Sequence, residues 1–213
     1  MAVISLAVVS ALTMGSVSAF EDLSEAQKLI YERPHLANTS DGQTITYQYT
    51  ATEAGKQVVE DVATLSINGA GEKELRDVEV DFLTEERRLA LPPFDGWRGN
   101  PIIIAMLEHT AQSIGQATGG GALYFRNRIR DAMASEAATI KTDRQEWNGQ
   151  AIDVTTLAFS PFVGDDYIET NPEFLDTKFV ITLSDDVPGG LLELQVGADF
   201  SPELAFSKRI VIN

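Results

Sequence analysis

The stretch ELRDVEVDFL (Glu74–Leu83) decides the fold class. Val78, Val80 and Phe82 fall on one side, while Asp77, Glu79 and Asp81 fall on the other. A period of two with one dry and one wet face describes a half-buried strand. Such a strand belongs in an antiparallel sheet, because strands of a parallel sheet are covered on both faces and read as unbroken apolar runs. Upstream, QTITYQYTAT sets Ile45, Tyr47 and Tyr49 against Thr44, Thr46, Gln48 and Thr50, and DVATLSI aligns Ala63, Leu65 and Ile67. Asn68-Gly69 predicts a tight turn between the last two runs. Three strands joined by turns make an antiparallel meander.

Downstream of Glu74–Leu83 the pattern changes twice. Pro92-Pro93 and Gly96 break the alternation. Asn100 then has the residue type of a helix cap, and Pro101 sits in the first turn, where proline is favoured. Ile103, Met106, Leu107, Ala111 and Ile114 make one helical face, with Glu108, Gln112 and Gln116 opposite; Gly119 stops the helix. After Gly119–Gly121, Phe125, Ile129, Ala132 and Met133 recur at helical spacing, which predicts a second helix over Ala122–Ala134. The alternative is a strand carrying Arg126, Arg128 and Arg130 on one face. Strands return with ATIKTDRQEW and QAIDVTTLAF around Asn148-Gly149, a strong hairpin signal. Asn171-Pro172 opens a loop or short helix. KFVITLSD and GLLELQVGAD flank a turn with Pro188 and Gly189 at its centre, and RIVIN is the last strand. Near the start, Ser24 and Gln27 match a capping box for a short helix that Pro34 ends. The order predicts an α+β fold: an antiparallel, curved sheet with a helical pair packed on one face, in a single domain over residues 20–213.

The N-terminus reads as an address. Ala2–Ala19 carries no charge, and Val17 and Ala19 form the small-x-small pattern of a signal-peptidase site before Phe20. Residues 1–19 are therefore expected to be a signal peptide, although no Lys or Arg precedes the apolar run. Retention as a membrane anchor is the competing reading. Cleavage leaves no stable membrane insertion and places the protein in the periplasm.

Composition excludes several functions. The 213 residues include no cysteine, which removes disulfides, thiolate metal sites and cysteine nucleophiles. With 32 acidic and 16 basic residues the formal charge is −16, so nucleic acid is not an expected partner. The triple glycine follows a helix instead of a strand and is not followed by Lys-Ser or Lys-Thr, so it is a helix stop and turn, not a phosphate loop. No H-E-x-x-H, EF-hand spacing or G-x-S-x-G occurs. Asp165, Asp166 and Glu169 read as a solvated acidic loop. Neither His35 nor His109 forms a ligand pair with a neighbour, and no cofactor is implied. Arg126 and Arg130 lie one helical turn apart with Arg128 projecting elsewhere, making the most basic patch of the chain. Such arginines grip a carboxylate or phosphate, or simply neutralise acidic neighbours. With Tyr124 and the Trp97 loop they are the candidate binding residues.

GNPIIIAMLEHTAQSIGQATGGGALYFRNRIRDAM, with FLTEERR upstream and FVITLSDDVPGG downstream, resembles a family of uncharacterised exported proteins of Gram-negative bacteria. The resemblance implies the periplasm and carries no functional residues with it. The expected function is binding without catalysis. One form is a carrier that holds an apolar ligand between sheet and helices among aromatics such as Tyr47, Phe82 and Phe125. A second is an adaptor that meets an envelope protein through the Arg-rich helix. The third is a hydrolase using carboxylates or a metal.

Overall fold

The computed structural model describes residues 22–53, 58–70, 74–198 and 206–213; the signal peptide expected at 1–19 lies outside them. The elements are α1 (Glu25–Tyr31), β1 (Thr44–Glu53), β2 (Val59–Ala70), β3 (Arg76–Phe82), β4 (Phe94–Trp97), α2 (Pro101–Thr118), α3 (Ala122–Ala134), β5 (Thr139–Trp147), β6 (Gln150–Phe159), β7 (Lys178–Leu183), β8 (Leu191–Gly197) and β9 (Phe206–Ile212). The nine strands form one open antiparallel sheet in the order β4-β3-β2-β1-β9-β8-β7-β6-β5. The fold is thus α+β with a helical pair. The last strand is the central one: β9 pairs with β1 on one side and β8 on the other, joining an N-terminal and a C-terminal meander.

Directly opposed residues of antiparallel strands share a face, so the register traces the dry side of the sheet. Leu157, Ile181, Leu194, Ile210 and Tyr49 are opposed in sequence across five strands. Beside them run Phe159, Phe179, Val196, Lys208 and Ala51. A third row runs through Ile212, Tyr47, Ala63 and Phe82. All of these residues are buried, and Lys208 is the only charged residue among them. The other side carries Thr46, Gln48, Glu193 and Gln195, partly exposed.

Two expectations fail locally. Asn68-Gly69 is not a turn; β2 runs through it to Ala70 with a register shift between Ile67 and Gly69. Asn-Gly tolerates the local backbone of a bulge as readily as that of a turn. The break at Pro92–Gly96 contains a short fourth strand, β4, joined to β3 at Arg76↔Trp97 and Val78↔Phe94.

The helices attach at both ends of α2. Asn100 is 1% exposed. Its Oδ1 accepts the Ile102 amide at 3.0 Å, while its Nδ2 donates to the Tyr47 hydroxyl at 2.8 Å and the Gly189 carbonyl at 2.7 Å. One capping side chain therefore satisfies the helix start and fixes it to β1 and to the β7–β8 turn. That turn closes from the Gly190 amide to the Val187 carbonyl at 2.8 Å, with Gly189 at φ 76°. A Cβ on Gly189 would lie 2.9 Å from the Ile45 side chain. At the far end Gly119 adopts φ 73°, and a Cβ on Gly120 would stand 2.8 Å from the Phe125 ring. The glycines are a corner between two helices, as expected from their following a helix. No helix among the described residues is long and apolar enough to cross a membrane.

Candidate functional site

The basic helix was the first candidate, and its side chains are mostly engaged within the chain. Arg126 grips Glu108 of α2 through Nε and Nη2, both at 2.6 Å. This contact, with help from Gln112, holds the Glu108 carboxyl below its usual range. Arg128 contacts Asp165 at 2.7 Å, and the Tyr124 hydroxyl reaches both oxygens of the same carboxylate at 2.7 Å. Asp165 is 2% exposed and also accepts the Tyr167 and Ile168 amides at 3.0 and 3.2 Å. It is therefore not part of a solvated loop. Burial pushes its carboxyl up, but the bonds from Tyr124 and Ile168 and the Arg128 charge outweigh burial and hold it below the ordinary value. Arg130 is exposed, 3.4 Å from Asp131. Trp97 packs on Phe94 at 5.2 Å between ring centroids, and its buried Nε1 has no partner among the described residues. The structure thus brings Tyr124 and Arg128 together on Asp165 and leaves Arg126, Arg130 and Trp97 apart.

A second constellation lies between the sheet and α2. On β9, Lys208 occupies an inward position and is 2% exposed. Its Nζ reaches across to α2, donating to Ser113 Oγ at 2.6 Å and to His109 Nδ1 at 3.1 Å. Residues 109 and 113 are one turn apart, so both point at the same strand. Since Nδ1 accepts, Nε2 carries the ring hydrogen. Ser113 donates its own hydrogen to the His109 carbonyl at 2.9 Å. The imidazole stands edge-on to Tyr49, with centroids 5.9 Å apart, and 5.6 Å from Phe82. Burial first, and the Lys208 charge second, lower the His109 pKa to about 3, so the ring is neutral at any ordinary pH.

Above this cluster is a recess of about 240 Å³. Ala51, Val59 and Leu89 form its apolar wall; His109, Gln112, Ser113 and Gln116 form its polar wall, and Glu86 and Arg88 also line it. Arg87 stands at the rim and is fixed by Asp61, to which its Nε donates at 2.8 Å. Asp61 is itself 7% exposed and accepts the Val62 amide and the Thr84 hydroxyl, each at 2.8 Å. The wall of the recess is therefore held by its own buried carboxylate.

The aromatic residues that an apolar cavity would need are packed on each other. Phe125 meets Phe162 edge-on at 5.8 Å, Phe159 stacks on Phe179 at 5.1 Å, and all four are buried. Among the described residues no group of three or more His, Asp or Glu is arranged to hold a metal ion.

The Lys208 cluster escaped the sequence reading, yet a signal was present. In FSKRIVI, Phe206, Ile210 and Ile212 alternate with Ser207, Arg209 and Val211, and Lys208 falls on the apolar side. A lysine in step with isoleucines is a buried cation that needs partners. His109 and Ser113 at helical spacing are two of them. In comparison with known proteins, the chain matches no protein-family model and no curated protein sequence.

Proposed function

We propose that this is an exported, periplasmic, non-catalytic binding protein whose ligand is a small amphiphile lodged in the recess between α2 and the sheet. The observation that carries the reading is the division of that recess into an apolar wall of Ala51, Val59 and Leu89 and a polar wall ending at His109 and Gln116. Glu86, Arg87 and Arg88 also line the recess, so polar and charged groups outweigh the apolar wall, and a few placed polar groups of this kind are what fix a ligand's orientation. The volume admits a short-chain or single-ring compound, smaller than the lipid-like ligand of a large carrier. Its hydrogen-bond acceptor would meet the Nε2 hydrogen of His109, whose tautomer Lys208 fixes.

The arrangement of Ser113 favours binding over catalysis. A serine paired with lysine becomes a nucleophile when the amine takes its proton. Here the hydroxyl hydrogen goes to a helix carbonyl and the oxygen already accepts from Nζ, so the group is occupied at both ends.

Native mass spectrometry of the protein recovered from the periplasm tests the proposal. A retained small molecule is expected, and Gln116→Trp, which fills the exposed mouth of the recess, is expected to lose it. A wild-type protein that arrives bare, and whose melting temperature no short-chain or aromatic acid raises, would sink the reading.

A further inference from the structure

The two edges of the sheet are built differently. β4 has four residues and only two paired positions, with a register shift between them. Short, irregular edges of this kind discourage pairing with other chains. β5 has nine residues, no proline, and an unbroken register with β6 from Thr139↔Ala158 to Trp147↔Gln150. Its residues from Thr139 to Glu146 are all exposed, on both faces. The hairpin turns at Asn148 (φ 49°) and Gly149 (φ 76°), a two-residue loop with both central residues left-handed, so Trp147 and Gln150 form the closing hydrogen-bonded pair. Counting back in twos, the amides and carbonyls of Glu146, Arg144, Thr142 and Ile140 point away from β6 into solvent.

The charges along this edge are unusual for the chain. The protein carries −16 overall, which repels copies of itself. β5 carries Lys141, Asp143, Arg144 and Glu146, which sum to zero. Two antiparallel copies related by a two-fold axis must pair residues whose numbers sum to an even value, or opposed side chains would face opposite sides. Centring the axis on Thr142 sets Lys141 opposite Asp143 of the other copy, twice, and Thr142 opposite Thr142. Ile140 then lies against the stem of Arg144. Centring it on Asp143 or Arg144 stacks like charges. Centring it on Gln145 runs the ladder into the Asn148-Gly149 turn.

We propose that β5 is a homodimerisation edge: two copies of the chain join their sheets through antiparallel β5 strands in register about Thr142, making one continuous eighteen-stranded sheet.

The chain has no cysteine, so single cysteines report the register directly. Under mild oxidation Thr142→Cys is expected to give a disulfide-linked dimer. Ile140→Cys and Arg144→Cys alone are not, since each lies about 14 Å from its own mate at roughly 3.4 Å per residue, but a mixture of the two is expected to cross-link. In sedimentation of the full chain, Lys141→Glu should shift the population to monomer, and Lys141→Glu combined with Asp143→Lys should restore the dimer. These positions are exposed on β5, and the folded signal in circular dichroism should not change. A monomer at every concentration overturns the proposal. So does a dimer that ignores Lys141→Glu, or one that cross-links through positions other than these.

Discussion

β9 and β5 have similar lengths and both carry two basic residues, yet one is the centre of the molecule and the other its margin. Lys208 on β9 is 2% exposed and held by Ser113 and His109, whereas Lys141 on β5 is exposed to solvent. The difference comes from strand order. The chain returns its last strand between β1 and β8, so β9 has a neighbour on each side and α2 above it. Among the described residues β5 has a neighbour on one side only. Charge in a strand therefore does not predict exposure; strand order and face together do, since Arg209 on the same central strand points to the wet side and is exposed while Lys208 points to the dry one, and a charge that the topology buries must be given partners.

The largest test of this contrast replaces isoleucine on each strand. Ile210 is fully buried and Ile140 is 41% exposed. Ile210→Ala should cost about 4 kcal/mol, as large-to-small changes in a packed core do. Ile140→Ala should stay within about 0.5 kcal/mol, as surface changes do. Urea denaturation of both variants checks it, and similar losses would mean that β5 is as integral to the fold as the centre.

Acid gives the next largest effect, because two histidines are buried neutral. His35 takes part in a 2.9 Å bond with the Leu29 carbonyl and accepts the Asn100 amide at 3.1 Å; burial lowers its pKa to about 4. His109 falls to about 3. Both are bases whose folded pKa lies below the unfolded value of 6.5, so the unfolded chain binds more protons between the two values. Stability should be level above about pH 7 and fall steadily below pH 6.5, by about 3 kcal/mol for each histidine at pH 4. His109→Gln should remove one share of that slope. Lys208→Met should raise the His109 pKa, readable by NMR titration, because the neighbouring charge is one of the two causes that lower it. A His109 pKa that does not move would place the Lys208 ammonium outside the ring's field.

Much of this architecture was legible from side-chain period alone. The alternations at Ile45–Tyr49, Ala63–Ile67 and Val78–Phe82 became neighbouring strands, and the glycine stop before Ala122 became a corner between helices. Reading stopped where one local pattern serves two structures. Asn68-Gly69 suits a turn or a bulge, and only the pairing of β3 decides which. The site was less legible for a different reason. Lys208, His109 and Ser113 come from residues about a hundred positions apart and meet only because β9 inserts at the centre of the sheet. Strand order is a long-range property that no window of sequence contains.

The arginine helix offers a middle term between core and edge. Asp165 joins α3 to the loop after β6, and it is buried with the Tyr124 hydroxyl, two backbone amides and the Arg128 guanidinium around it. Asp165→Asn keeps the volume and removes the charge that Arg128 and Tyr124 serve. It should cost about 2 kcal/mol, while Tyr124→Phe, which removes one donor, should cost about 1 kcal/mol. The carboxyl's folded pKa is depressed, so its contribution is present above the unfolded carboxylate range and disappears as pH falls through the folded value. Asp165→Asn should accordingly flatten the acid limb at its lowest end. An unchanged limb would show that these groups do not act through the charge.

The smallest effect separates Arg126 from Arg130, two residues of one helix that differ only in what stands opposite. Arg126 meets Glu108 of α2 with two bonds of 2.6 Å, and Glu108 is already oriented by Gln112 at 2.8 Å. Among the described residues Arg130 has its one ion pair with its sequence neighbour Asp131, at 3.4 Å and with both side chains more than half exposed. Geometry of the first kind ties two helices together, and the second ties nothing. Arg126→Ala should therefore cost about 0.5–1 kcal/mol, more in low salt than in high, and Arg130→Ala close to zero at any ionic strength. Equal losses for the two would mean that stability follows the number of arginines on α3 and not their partners. A null effect for Arg126 would mean that the corner at Gly119–Gly121 holds the helical pair without help.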